Sequence, residues 1–144
     1  MDDGTPTTWT IASLADALRA PEYADEVAVE LIDQAEPVLR VTMRQHGDLG
    51  VFLSIAGEQI VVSTLLWPVD EQEDAPAFNT FILKAQKLVP LSNFAITDLD
   101  GRDYYELIGE LAVESPLRLI MLELRVLADN AIAAADDLRT EFAA

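Results

Sequence analysis

The sequence predicts an α+β domain in which helices pack against an antiparallel or mixed sheet. Three observations predict this fold class: helical and strand periodicities follow one another along the chain, turn residues separate them, and about half of the residues are apolar. The chain has 144 residues, 51% apolar and 24% charged, which is typical of one globular domain. We therefore predict a single domain over residues 1–144, with residues 1–8 flexible.

The first helix is predicted to begin after Thr10 and to end before Pro21. Its apolar residues recur at the spacing of one helix face: Ile11, Leu14, Ala15 and Leu18. Trp9 precedes the cap, so its side chain can pack back on the first turn as a hydrophobic staple.

A period of two residues follows and predicts strands. Residues 27–31, 39–43 and 51–55 place apolar side chains at alternate positions. The sequence Ala56-Gly57-Glu58 is short enough for a tight hairpin into residues 59–67. Residues 60–67 are apolar on both faces, which is typical of a central strand covered on each side, or of a face that another protomer covers.

A second helix is predicted from Asp74 or Ala75 to Pro90. Its buried stripe comprises Phe78, Phe81, Ile82, Ala85, Leu88 and Val89. Phe94 and Ile96 then indicate a short strand, and residues 104–111 its partner. The segment 98–101 joins them, because Asp-Gly supplies the positive φ angles that a hairpin turn needs.

The last helix is predicted to begin at Ser115-Pro116, a hydroxyl cap followed by proline at the first helical position. A helical stripe then continues to Phe142, so this helix would have about 26 residues and a length of roughly 39 Å. Leu119, Leu122 and Val126 lie beside the stripe and indicate deep burial or an oligomer contact. The predicted order of elements is α-β-β-β-α-β-β-α.

The composition excludes most side-chain chemistry. The chain has no cysteine, one histidine, and 26 acidic against 9 basic residues, for a net charge of −17. Such a surface repels nucleic acid phosphates and anionic lipids, so we expect neither as a ligand. The acidic start and the lack of a long apolar run predict a cytoplasmic protein with no direct membrane insertion.

Three features of the sequence are candidates for a catalytic or metal site. His46 lies in a predicted turn, and we interpret it as a solvent-exposed histidine. Residues 98–103 do not fit a calcium loop, because Arg102 and Asp103 occupy its fifth and sixth positions. Glu106 and Glu110 resemble paired catalytic carboxylates, but alternating acids on a wet strand face look the same. We therefore predict no catalytic, cofactor-binding or metal-ligating residue, and no enzyme.

Seven short strings, taken in order and spacing, resemble the YjfI-like family of uncharacterised bacterial proteins over nearly the whole chain. They begin at residues 9, 57, 66, 77, 90, 103 and 127, and they read WTIASL, GEQI, LWP, AFN, PLS, DYY and LADN. The resemblance implies no established catalytic residues. It also implies a genomic association with homologues of phage-shock protein A, a membrane-remodelling protein.

The order of elements is in turn similar to the fold of type III secretion chaperones and of YbjN-like proteins. Those proteins are small, acidic, usually homodimeric, and bind other polypeptides. This second similarity concerns architecture and charge, so for function it is an analogy.

We therefore predict a non-catalytic protein-binding module, chaperone-like or adaptor-like, that acts as a homodimer. A phage-shock protein A-like membrane-stress protein is the candidate partner. The predicted interaction residues are Trp67, Phe78, Phe81, Leu119, Leu122 and Val126. Two alternatives stay open: a structural subunit of a larger assembly, and an enzyme that uses carboxylates with a divalent ion at Asp70, Glu71 and Glu73 or at Asp98, Asp100 and Asp103.

Overall fold

The computed structural model describes residues 8–143. The predicted flexibility of residues 1–8 lies outside this range apart from Thr8. Six strands form one antiparallel sheet in the order β1-β2-β3-β4-β6-β5, which confirms the α+β class. The strands are β1 (Val27–Ile32), β2 (Val38–Met43), β3 (Leu49–Ala56), β4 (Gln59–Pro68), β5 (Asn93–Leu99) and β6 (Arg102–Ala112).

The helices are α1 (Ile11–Leu18), α2 (Ala75–Ala85), α3 (Leu117–Ala133) and α4 (Arg139–Ala143), with a π-helical turn at Ala134–Leu138 between the last two. Short 3₁₀ turns lie at Pro21–Tyr23, Val69–Glu71 and Gln86–Leu88. Within residues 8–143, no helix is both long enough and apolar enough to span a membrane.

The number of strands before α2 is four, not the three of the predicted order. Gly57 adopts a φ of 62° and closes a hairpin, so β3 and β4 are separate strands that pair from Phe52–Ser63 to Ala56–Gln59. Because each extended segment found in the sequence is its own strand, the sheet is one strand wider than predicted.

One face of the sheet carries the core. Paired residues of antiparallel strands point to the same side, and the pairs Leu39–Leu53 and Leu53–Val62 are fully buried. Helices α1 and α3 cover this inner face, and α3 contributes Ile120, Met121, Leu124, Leu127, Ala128 and Ala131.

The outer face of the sheet is half-exposed. Phe52 pairs with Ser63, and Ser63 pairs with Ile108, so these side chains share the face opposite the core. Val61 and Leu65 lie on the same face and are also half-exposed. Of the two alternatives for residues 60–67, a strand covered on each side by its own chain does not hold within residues 8–143, since Val61, Ser63 and Leu65 stay half-exposed there.

The first helix begins as predicted. The Thr10 hydroxyl accepts a hydrogen bond from the Ser13 backbone N–H at 3.0 Å in a capping box. Trp9 makes contacts beyond the first helical turn that a hydrophobic staple would contact. Its indole N–H donates to the Ser115 carbonyl at 2.7 Å, and its backbone N–H donates to the Val113 carbonyl at 3.0 Å. Trp9 thus ties the start of the described chain to the connection between β6 and α3.

Two predicted helix boundaries are wrong. Pro116, not Ser115, is the N-cap of α3, and it makes no side-chain cap bond. The second helix ends at Ala85, and Leu88 is 83% exposed instead of lying on the buried stripe. The physical reason is the 3₁₀ turn at residues 86–88, whose three residues per turn rotate Leu88 away from the core.

The predicted turn between β5 and β6 is confirmed. Asp100 and Gly101 both have positive φ angles, 52° and 85°, as a tight hairpin requires. The Asp98 carboxylate accepts a hydrogen bond from the Gly101 N–H at 2.7 Å, so this acidic group stabilises a turn.

Candidate functional site

The structure separates the six predicted interaction residues into two groups. Trp67 and Phe78 lie in the core with 8% and 1% exposure, so in this conformation they offer almost no surface to a partner. Phe81 is half-buried beside them. Leu119, Leu122 and Val126 lie on α3, on the side turned away from the sheet, and Leu122 is 43% exposed.

The aromatic side chains join α2 to the sheet and to the end of the chain. The Phe78 ring lies 5.3 Å from that of Tyr105 on β6 and 5.1 Å from that of Phe142 on α4. The Tyr105 hydroxyl donates to the Asn79 side-chain oxygen at 2.5 Å, and burial raises the pKa of Tyr105. This phenol therefore remains a hydrogen-bond donor at neutral pH.

Trp67 is held in the same cluster. Its indole N–H donates to the Gln72 side chain at 2.9 Å, and the Arg139 guanidinium lies 4.2 Å from the ring centroid. The cation–π contact links α4 to β4, and this type of contact contributes about 0.5–2 kcal/mol. The cluster thereby fixes the position of the chain's last helical turns.

An apolar groove of about 500 Å³ lies between α2 and these last turns. We name it the C-terminal groove. Its apolar lining comprises Phe81, Ala85, Leu88, Val89, Pro90, Phe94, Ala133, Ala134 and Leu138, and its polar lining comprises Lys84, Asn130, Asp137 and Glu141. The π-helical turn forms part of one wall, and such turns occur often at functional sites.

Three leucines near the C-terminal groove are exposed: Leu83, Leu88 and Leu91. Leu91 has a φ of 63°, a conformation that is strained for a leucine. Asn130 of α3 fixes this turn, because its side-chain amide donates to the Pro90 carbonyl at 2.8 Å and to the Ser92 hydroxyl at 3.0 Å. Exposed apolar residues of this kind mark interaction surfaces.

Sequence periodicity missed these leucines as surface residues because it assigned Leu88 to the buried stripe. The detectable signal was Pro90 three residues beyond Lys87, since a proline favours an earlier helix end. The chain's two lysines, Lys84 and Lys87, lie in the same short segment.

The side of α3 that faces β1 and the β2–β3 turn is held by an ion pair and a hydrogen bond. The Glu26 carboxylate accepts hydrogen bonds from Arg125 at 2.5 and 2.9 Å, and Arg125 lowers the pKa of Glu26. His46 Nε2 lies 2.7 Å from an Asp129 carboxylate oxygen. We name Arg125 and Asp129 the paired flank of α3. The prediction of a solvent-exposed His46 is wrong, because α3 covers most of its ring.

Two of the acidic residues considered for metal binding, Asp70 and Glu71, are bonded by an arginine. Arg102 binds Asp70 at 2.8 and 2.9 Å and Glu71 at 2.8 Å. Within residues 8–143, no group of three or more histidine, aspartate or glutamate side chains is placed to hold a metal ion. Glu106 lies half-buried on the outer sheet face, where burial raises its pKa, and Glu110 is exposed.

Comparisons with known proteins agree with the sequence resemblance. A family model described as "Uncharacterized protein conserved in bacteria (DUF2170)" matches residues 8–142. The uncharacterized protein YjfI of Escherichia coli strain K12 is 34% identical over 130 residues, which cover 90% of this chain and 94% of YjfI. YjfI of Escherichia coli O157:H7 matches to the same extent.

Among solved structures, a chain from the "Crystal Structure of the ExsC-ExsE Complex" is similar, with a TM-score of 0.47 and 15% sequence identity. The similarity covers 89% of this chain and 90% of that one. The family model and the two YjfI proteins together cover nine-tenths or more of the sequence. The chain therefore belongs to the DUF2170 family of bacterial proteins, whose members include YjfI.

Proposed function

We propose that this protein is a non-catalytic protein-binding module, chaperone-like or adaptor-like, that holds an apolar segment of another protein in the C-terminal groove. One observation carries the proposal: a groove of about 500 Å³ lies beside three exposed leucines in a chain whose surface is otherwise strongly acidic. An apolar segment bound there would remove both the groove lining and the leucines from water.

Charge favours a basic partner segment. Asp137 and Glu141 line the C-terminal groove, and the whole chain has a net charge of −17. A segment with lysine or arginine beside its apolar residues would be attracted over distance and oriented at the rim. We propose that the protein acts in the cytoplasm. A phage-shock protein A-like membrane-stress protein is the partner we propose to test first.

A non-enzymatic role is supported by the lining of the groove. Its ionisable side chains are Lys84, Asp137 and Glu141, and serine, threonine and histidine do not line it. Acyl transfer or hydrolysis needs an activated nucleophile or two carboxylates whose environments differ, whereas Asp137 and Glu141 are both exposed. We therefore propose binding and not catalysis.

We further propose that the protein is a homodimer. The half-exposed residues Phe52, Val61, Leu65 and Ile108 of the outer sheet face form the apolar surface that a second copy would cover. Arg40 pairs with Phe52 on the same face, so it can meet Glu106 or Glu110 of the second copy and offset their charge. A dimer of this kind would leave the C-terminal groove open.

The test uses peptides selected by display on the full chain. We expect basic amphipathic peptides to bind in calorimetry, and Leu88→Glu to weaken them about tenfold or more, because it adds a charge at the apolar rim. Leu99→Glu is the matched control, since Leu99 is also exposed but lies at the β5–β6 hairpin.

Peptides that bind wild type and Leu88→Glu equally would contradict the groove as the binding site. The phage-shock protein A-like protein is titrated separately. Binding that Leu88→Glu weakens supports this partner, whereas no binding rejects the partner and leaves the groove to be judged by the selected peptides.

A further inference from the structure

Strand β6 extends beyond its neighbour β5. Their pairing ends at Asn93–Ile108, whereas β6 continues to Ala112. Beyond Ile108, β6 pairs with β4 on one side, and the side that β5 covered earlier is free of strand pairing in the described chain. The sheet thus has a short open edge in its interior, next to α3.

The backbone of Glu110 points to this open edge. The Val113 N–H donates to the Glu58 carbonyl at 2.8 Å, in register with the pairing of β6 to β4. Because N–H and C=O groups alternate sides along a strand, those of Leu111 and Gly109 face β4, and those of Glu110 face away from it. A strand placed at the edge would find a donor and an acceptor there.

A buried carboxylate lies at the same place. Glu123 of α3 packs over Gly109, and its residue exposure is 6%. A Cβ atom at residue 109 would collide with the Glu123 carboxylate, so an alanine there would force this carboxylate to move. Within residues 8–143, no side-chain hydrogen bond or salt bridge joins this carboxylate to another residue, whereas Glu26 across the helix has Arg125.

An unpaired carboxylate in such a position is costly. Burial raises the pKa of Glu123, and the nearby charge of Glu110 raises it further. A cation from outside the chain would offset both effects, because a charged donor restores the bond that burial removed. The site is therefore suited to an ammonium or guanidinium group.

Apolar surface lies beside the carboxylate. Leu119 and Val126 are one helical turn from Glu123 on either side, and Leu122 is exposed next to it. We name Leu119, Leu122, Glu123 and Val126 the open flank of α3. Aliphatic side chains, or the stem of an arginine, could cover these residues.

We propose that the open edge at Glu110 and the carboxylate of Glu123 form a binding site for a basic, extended segment of a partner protein. The segment's main chain pairs with Glu110, and one arginine or lysine side chain bonds Glu123. The site is separate from the C-terminal groove and does not depend on it. A second copy is disfavoured as the occupant, since the edges of two copies would bring their Glu110 and Glu123 carboxylates together.

The test uses a capped five-residue peptide that alternates valine and arginine, added to the full isotope-labelled chain. We expect amide shifts concentrated at residues 109–112 and about tenfold slower hydrogen exchange of the Glu110 amide at saturation. Two further peptides carry N-methyl groups on the valines or on the arginines. One of these should bind about tenfold more weakly, because only one set of N–H groups can face β6.

Protein variants test the carboxylate. Glu123→Gln keeps the shape and removes the charge, and we expect it to weaken the peptide about tenfold. Glu114→Gln, an equal change at an exposed position, should leave affinity unchanged.

Three results would overturn the proposal. They are equal weakening by Glu123→Gln and Glu114→Gln, full binding by both N-methylated peptides, and protection of the Glu110 amide that grows with protein concentration in the absence of peptide. The last result would assign the edge to a second copy. Because the N-methylated peptides leave the protein unchanged, the test holds even where a variant is poorly folded.

Discussion

A buried or half-buried carboxylate lies at each flank of α3. One of them is bonded by an arginine, and the other has no partner among the described residues. On the paired flank, Glu26 is bonded by Arg125, and its pKa is lowered. On the open flank, Glu123 packs over Gly109 without a partner among the described residues, and its pKa is raised. Among the described residues, the carboxylate on one side of α3 is therefore bonded, and the carboxylate on the other side is not.

This difference is the basis for our proposal that one side of α3 serves structure and the other serves binding. Arg125 and Asp129 connect α3 to Glu26 and His46, so they hold the helix on the sheet. On the open flank, burial raises the pKa of Glu123, so the charged form of this carboxyl group is less favourable there. Groups that lower stability in the free protein are found most often where a ligand restores the balance.

Gly109→Ala should have the largest effect on stability, because it adds a methyl group where the Glu123 side chain of α3 packs on strand β6. The new Cβ would clash with the Glu123 carboxylate and lie 3.1 Å from Val62 Cγ2. We expect the free energy of unfolding in urea to fall by about 1–3 kcal/mol. Gly50→Ala is the control, since its Cβ would meet only the Arg40 side chain, at 3.5 Å. Equal losses for both variants would show that the Glu123 contact is not the cause.

Arg125→Met breaks the paired flank and should lower stability at pH 7 by about 1–2 kcal/mol, since the pair is only partly buried. Arg125 lowers the pKa of Glu26, so the pair stabilises the fold above the ordinary carboxyl pKa of 4.5. That stabilisation is lost as the pH falls through the lowered pKa. Unfolding curves between about pH 3 and 7 should therefore converge in acid. Arg118→Met, an exposed arginine of the same helix, should show no such convergence.

Leu122→Glu should have the smallest effect on stability, within about 0.5 kcal/mol, because Leu122 is exposed on the open flank. Light scattering then shows whether the outer sheet face or the open flank of α3 forms the dimer contact. If the outer sheet face forms the dimer, Ile108→Glu shifts the protein to monomers and Leu122→Glu does not. The opposite result would place the dimer contact on α3.

Local elements could be predicted because neighbouring residues specify them. The capping box of Thr10 and Ser13 and the turn at Asp100-Gly101 depend on residues within three positions of each other. The alternation in β2 and β3 likewise reports which residues face the core. Helix ends were predicted less well, since the 3₁₀ turn after Ala85 changes the period and exposes Leu88.

The candidate sites depend on residues far apart in sequence. Glu123 meets Gly109, His46 meets Asp129, and Trp9 reaches Ser115. None of these residues stands out within its own segment: Glu123 interrupts an apolar helix face, and Gly109 looks like a weak strand position. No spacing rule relates a helix residue to the strand residue it packs on, so the pattern alone could not find them.

By itself, the sequence determined the α+β class, the acidic surface and the family, because composition, periodicity and turn chemistry are properties of short stretches of chain. Only the tertiary structure decided that β5 stops before β6 does, that the last helical turns form a groove with α2, and that Glu26 has a partner within residues 8–143 while Glu123 has none there. Strand pairing, burial and desolvation require contacts between segments that are distant in sequence. Those contacts set the free energy of each charged group.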